Sequence, residues 1–139
     1  MDSLIKQAKY LFNQNNYLGA ILTCKDILKT ERDSYLALKI IGQSYLKLQK
    51  FNDAKIYIEK SLQVVQDYEL LKDLGNCYQA LGDIHKAKFY YRKSLEEKED
   101  YGPALTNLGA IESQLGDNNK AYELLIKATQ SEPNLSPAW

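Results

Sequence analysis

The chain has 139 residues, of which 45% are hydrophobic and 26% are charged, and its formal net charge is zero. This balanced charge, without a strongly basic segment, excludes the phosphate-binding surface that a nucleic-acid partner requires. No apolar run approaches the ~18 residues that span a bilayer, and the N-terminus lacks the pattern of a secretory signal. The composition therefore predicts one packed domain or a short array of repeats, with no membrane partner.

The sequence repeats itself at a nearly constant step. Four alanines at corresponding positions, Ala20, Ala54, Ala87 and Ala121, are separated by 34, 33 and 34 residues. Self-similarity at this period is typical of repeat architectures. The whole chain is therefore predicted to be a single array with units at residues 1–34, 35–67, 68–101 and 102–135, followed at residues 136–139 by the start of a truncated fifth unit.

Each unit is predicted to contain two amphipathic helices joined by a tight turn. The pattern is clearest in the third unit, where apolar residues at helical spacing predict helices over residues 68–81 and 84–97. Gly82 suits the left-handed position that ends a helix, and Asp83 suits the N-cap of the next helix. The fourth unit repeats this turn with Gly116 and Asp117.

Three glycines recur in the middle of predicted first helices, at Gly42, Gly75 and Gly109. Glycine in a helix interior costs about 1 kcal/mol relative to alanine. We expect close approach of the paired helix to offset this cost, with the repeated alanines of the second helices facing the glycines.

A unit of this length, with Leu-Gly, then Tyr, then Gly-Asp, then Ala, resembles the tetratricopeptide repeat. The stretch "LGNCYQALGD" from Leu74 carries the motif most fully. The second unit has Gln49 and Lys50 at the turn, the first has Gln7 and Ala8 in place of Leu-Gly, and the fourth has Glu112 at the tyrosine position. The resemblance implies an all-α fold, a right-handed α-solenoid of antiparallel helix pairs with a concave groove lined by the first helix of each unit.

The closing stretch "SEPNLSPAW" at Ser131–Trp139 aligns with the start of a further repeat. Trp139 stands 34 residues after Leu105, at a position where the family often has tryptophan. We therefore expect the chain to be a piece of a longer protein. As given, it lacks after its fourth unit the polar capping helix that usually ends such an array.

The sequence contains no recognisable catalytic or metal-binding motif, so we predict that the protein is not an enzyme and has no cofactor. The single histidine, His85, is expected on the outer face of a second helix. Cys24 and Cys77 fall on apolar helix faces, which predicts buried thiols rather than a disulfide or metal site and fits a cytoplasmic protein.

The resemblance implies a protein–protein interaction module that binds an extended peptide or a partner helix in the groove. Asparagine and glutamine can hydrogen-bond a peptide backbone, and lysine attracts an acidic peptide. The predicted groove residues are Lys6, Lys9, Asn13, Lys39, Gln43, Lys47, Lys72, Asp73, Asn76, Gln79 and Asn107. The two-carboxylate clamp of chaperone-binding family members is matched only in part, by Lys72, Asn76 and Asn107 but not by Pro137, which does not favour a heat-shock cochaperone.

Three alternatives stay open at this point. The array could be the substrate-recruiting arm of a larger enzyme, such as a glycosyltransferase or an oxygenase. It could be a scaffold that associates end to end through its uncapped C-terminal unit. The polar groove residues could also simply face solvent.

Overall fold

The computed structural model describes residues 2–131, and the predicted fifth unit at residues 136–139 lies outside this range. The described residues form eight α-helices and no strand. In chain order the helices are α1 (Asp2–Asn13), α2 (Tyr17–Thr30), α3 (Tyr35–Lys47), α4 (Phe51–Val64), α5 (Tyr68–Ala80), α6 (Ile84–Glu97), α7 (Gly102–Gln114) and α8 (Asn118–Ser131). The two helices predicted for the third unit are thus confirmed, the first of them one residue shorter than expected.

Successive helices pack as antiparallel pairs. Near the end of α4, the Ser61 hydroxyl donates to the carbonyl of Tyr35 at the start of α3, at 3.2 Å. One turn earlier on α4, Ile58 lies against Gly42, which is further along α3. The pair α5 and α6 repeats the arrangement, with the Ser94 hydroxyl donating to the Tyr68 carbonyl at 2.7 Å. Each serine therefore ties the end of a second helix to the beginning of its partner.

The helices fall into two compact units, one ending at Gln66 and the other beginning at Asp67. In the first unit, α1 to α4 share an apolar core to which the residues Ala8, Ala20, Ile21, Cys24, Ile27, Ala37, Ile40 and Ile41 belong. In the second unit, α5 to α7 bury Leu70, Leu71, Leu74, Cys77, Ala87, Tyr91, Ala104, Leu105, Leu108 and Ile111. Both cysteines are buried, as predicted, and both are free thiols.

The turns inside the helix pairs follow the predicted pattern. Gly82 and Gly116 have φ angles of 88° and 94°, in the left-handed region where glycine carries no steric penalty. Asp83 and Asp117 then accept a backbone N–H with their side chains, each at 3.1 Å. The corresponding turn between α3 and α4 places Gln49 at φ 60°, and Lys50 provides no side-chain cap.

The mid-helix glycines lie in close contact with the paired helix, as expected. The predicted alanines take part through backbone oxygens, at 3.6 Å for Ala54 from a Cβ built on Gly42 and 3.4 Å for Ala121 from one built on Gly109, but the nearest atoms belong to larger side chains. A Cβ atom built on Gly75 would lie 2.6 Å from the Tyr91 ring, and one on Gly42 would lie 2.7 Å from Ile58. These residues stand one turn after the repeated alanines. A large side chain of the second helix therefore occupies the space that the missing glycine side chain leaves.

Candidate functional site

Four predicted groove residues on α1 and α3 surround one cavity. Lys9, Asn13, Lys39 and Gln43 line a space of about 300 Å³, together with Phe12, Leu36 and Ile40. Lys6 and Lys47 are exposed on the same two helices but do not line this space. We call the seven lining residues the α1–α3 groove.

The α1–α3 groove combines positive charge with an apolar floor. Its lining contains two lysines and two amides but no carboxylate. The Lys39 ammonium lies 5.8 Å from the centre of the Tyr35 ring, a cation–π distance that holds the charge beside α3. The surface can therefore attract a carboxylate while an apolar side chain of the same ligand contacts Leu36 and Ile40.

Three predicted groove residues on α5 and α7 form a hydrogen-bonded cluster with a tyrosine. The Tyr91 hydroxyl of α6 lies 2.5 Å from Asn76 Oδ1 and 2.8 Å from Gln79 Oε1, both on α5. Asn107 on α7 donates through Nδ2 to the same Asn76 oxygen, at 2.9 Å. We call these four residues the Tyr91 cluster.

Tyr91, which falls at helical spacing among the apolar residues of its helix, was not among the predicted site residues. In the other units the equivalent positions hold Cys24, Ile58 and Leu125, which have no hydroxyl group to offer. A tyrosine at a packing position, fifteen residues after an asparagine on the paired helix, was the available signal. Recognising this signal required knowing that the Tyr91 and Asn76 side chains are in contact.

The structure corrects the expectation that Asp73 is an exposed groove residue. Asp73 is only 4% exposed, and its carboxylate accepts a hydrogen bond from Lys72 Nζ at 2.8 Å. The positive charge of Lys72 is therefore largely compensated within α5.

Glu112, the residue at the family's tyrosine position in the fourth unit, is also buried. Lys88 Nζ on α6 lies 2.6 Å from Glu112 Oε1 on α7, although the two are not aligned as a hydrogen bond. A buried carboxylate is stable only when its charge is compensated. This ion pair therefore connects the two helix pairs of the second unit.

A second cavity, which the sequence did not predict, lies beside the loop between α2 and α3. It has a volume of about 540 Å³ and is lined by Arg32, Asp33, Leu38, Lys60, Gln63 and Val64. Its mixture of both charges gives it no clear preference for a charged ligand.

Other classes of site are not visible in residues 2–131. That range contains no group of three or more His, Cys, Asp and Glu residues placed to hold a metal ion. None of its helices is long and apolar enough to cross a membrane. His85 is exposed on α6, as predicted.

Antiparallel helix pairs repeated along the chain define a helical repeat protein of the all-α solenoid class. Models of the family described as tetratricopeptide repeat match residues 68–101 in one case and residues 40–65 and 102–135 in another. The chain belongs to the tetratricopeptide repeat family.

Solved structures show the same fold at low sequence identity. A crystal structure of MamA matches with a TM-score of 0.87 at 20% identity, covering 96% of this chain and 79% of that one. The first tetratricopeptide repeat domain of Spaghetti (RPAP3), bound to the HSP90 peptide SRMEEVD, matches with a TM-score of 0.77 at 20% identity, covering 81% and 90%. A mutant of the Thermobaculum terrenum O-GlcNAc transferase matches with a TM-score of 0.85 at 19% identity, covering 93% of this chain but 25% of that one.

At these identities the likeness concerns the fold alone. A comparison with curated proteins finds no match to this sequence. The function must therefore be argued from the side chains described above.

Proposed function

We propose that this chain is a non-catalytic protein-interaction module that binds an extended acidic peptide at the α1–α3 groove. The observation that carries the proposal is the lining of that groove, where Lys9 and Lys39 stand beside Leu36 and Ile40 without any carboxylate. Acidic groups of a peptide would meet the lysines, and an apolar side chain would be buried against the floor.

The binding mechanism is preorganisation. Helices α1 and α3 rest on a buried core that includes Ala8, Ala37 and Ile41. Because the groove is built on packed helices rather than on loops, a ligand pays little to order its receptor. Asn13 and Gln43 can each both donate and accept, so they suit the amide groups of a peptide backbone.

The test begins with an unbiased peptide-display selection against the purified chain. Acidic peptides are expected among those selected, and Lys39→Glu should weaken their binding roughly tenfold because an attraction becomes a repulsion, a change on the order of 1–2 kcal/mol at an exposed pair. Isothermal titration calorimetry at low and high salt measures the effect, which should shrink as salt screens the charges.

Lys127→Glu is the matched control, because Lys127 is an exposed lysine on α8, far along the chain from the groove. It changes the net charge by the same amount and should leave the affinity unchanged. If both variants bind the selected peptides as tightly as the original chain, the α1–α3 groove does not read acidic ligands.

A second candidate function is end-to-end association of two copies through α8. Leu125 is 43% exposed, whereas its equivalents Ile58 and Tyr91 are fully buried, and Tyr122 and Ile126 extend the same exposed apolar face. An apolar face of this kind favours association. Light scattering over a concentration series should then show a dimer that Leu125→Glu abolishes, and a constant monomer mass would reject the candidate.

A further inference from the structure

The Tyr91 cluster has a defined polarity, because a hydroxyl group carries one proton. Tyr91 can donate that proton to only one of the two amide oxygens beside it, and the shorter contact, 2.5 Å, goes to Asn76 Oδ1. Charge-neutral O–H···O bonds of this length are strong and well directed. The structure has Gln79 Oε1 at 2.8 Å from the same hydroxyl, and because only one proton is available, this second contact is favourable when the Gln79 amide is turned to present its nitrogen.

With the tyrosine proton assigned, the orientation of both asparagine amides follows. Asn76 Oδ1 accepts from Tyr91 and from Asn107 Nδ2, so both of its lone pairs are used. Asn76 Nδ2 and Asn107 Oδ1 have no partner among the described residues, and neither is among the buried polar atoms left without one. Both atoms therefore reach solvent, one as a donor on α5 and the other as an acceptor on α7.

A peptide unit carries one N–H donor and one C=O acceptor. We propose that Tyr91 is a positioning residue that sets the polarity of this pair, so that Asn76 donates to a peptide carbonyl and Asn107 accepts from a peptide N–H. The inference rests on the proposed peptide-binding function and extends it to a second set of residues. It assigns Tyr91 a role in recognition although Tyr91 itself is fully buried and cannot touch the ligand.

The environment of Tyr91 keeps its hydroxyl group a donor. Burial raises the pKa of Tyr91 well above its ordinary value of 10.0, while a hydrogen bond with Asn107 acts in the opposite direction. The hydroxyl is therefore protonated at every pH at which the protein would meet a peptide.

The polarity can be measured without any ligand, by the solvent exchange of the side-chain amide protons in nuclear magnetic resonance spectra. The Asn107 amide, which donates inside the cluster, should exchange about threefold to tenfold more slowly than the Asn76 amide, the range expected from one hydrogen bond. In Tyr91→Phe, which keeps the ring but removes the hydroxyl, this ratio should fall below half its original value.

Tyr122→Phe is the matched control, since it removes a hydroxyl from an exposed tyrosine on α8 and should leave the ratio unchanged. The proposal is overturned if the Asn107 amide is not the slower one in the original chain. It is also overturned if Tyr91→Phe retains at least half of the original ratio.

Recognition is tested with a peptide from the display selection whose binding Lys39→Glu does not weaken, because such a peptide binds outside the α1–α3 groove. Tyr91→Phe should weaken its binding about threefold or more, and Tyr122→Phe should not. Equal affinities for the two variants would overturn the recognition role. If the selection yields no peptide, the proposed function fails, whereas the exchange ratio still decides whether Tyr91 sets the polarity.

Discussion

The lack of a Cβ atom at Gly75 determines how closely the Tyr91 ring packs against α5. The Tyr91 ring occupies the space where a Cβ of residue 75 would be, at 2.6 Å from the nearest ring carbon. Its hydroxyl group can reach Asn76, the next residue on α5, only because the ring packs so closely. The glycine therefore serves the hydrogen-bonded cluster as well as the helix contact.

Gly75→Ala should lower the free energy of unfolding by about 1–2 kcal/mol. The added methyl group overpacks the contact with the ring by roughly 1–3 kcal/mol, and the better helix propensity of alanine offsets at most about 1 kcal/mol. Urea denaturation followed by circular dichroism measures the change.

Gly109→Ala is the natural comparison, because its Cβ would lie 3.2 Å from Leu125, a side chain that is exposed enough to move aside. It should be neutral or stabilise the protein by up to about 1 kcal/mol. Equal losses for the two variants would show that ring packing does not decide the effect.

The turns between paired helices differ in quality along the chain. Gly82 with Asp83, and Gly116 with Asp117, combine a left-handed glycine with a side-chain cap. The turn before α4 has neither, because Gln49 adopts φ 60° with a side chain attached and Lys50 makes no cap. The departure from the family pattern seen in the sequence is thus a local weakness in the structure.

The double substitution Gln49→Gly and Lys50→Asp should raise the free energy of unfolding by about 2 kcal/mol. Glycine keeps the left-handed conformation but removes its steric cost of about 1–2 kcal/mol, and an aspartate N-cap contributes about 1 kcal/mol. Thermal and urea unfolding measure the gain. The same aspartate placed by Lys60→Asp, in the interior of α4, should not stabilise the protein; if it does, the cap is not the cause.

One cysteine and two tyrosines, weakly acidic side chains removed from solvent, make the stability of the fold sensitive to alkaline pH. Burial raises the pKa of Cys24 from 9.0 to about 12, and burial likewise raises the pKa of Tyr91 and Tyr101 above 10.0. Each of these groups is neutral in the folded chain over a range where the unfolded chain has already lost the proton.

Stability should therefore be constant up to about pH 9 and fall progressively above it, because the unfolded state releases protons first. Urea midpoints measured at about pH 7 and about pH 10.5 test this. Tyr91→Phe removes one of the groups and should make the fall shallower, whereas Tyr122→Phe should not. A midpoint that does not change with pH would contradict the expectation.

Much of the architecture could be predicted from residue spacing. The helices of the third unit, the glycine turns and the burial of both cysteines all agree with the structure. The large side chains that lie nearest to the mid-helix glycines and the burial of Asp73 were not predicted, because both depend on the rotation of one helix against another. A helical pattern defines which residues share a face but leaves open the neighbour that the face meets.

The same distinction between local pattern and helix packing applies to the candidate site. The lysines and amides of the first helices were recognisable as surface residues because helix periodicity and caps are local properties of the chain. Which of those side chains line a cavity, and which atoms of Asn76 and Asn107 reach solvent, depended on contacts between helices far apart in sequence. The compensation of Lys72 by its neighbour Asp73 depended instead on side-chain conformations within α5. The hydroxyl of one buried tyrosine orients those amides, and its position exists only once α5, α6 and α7 have packed.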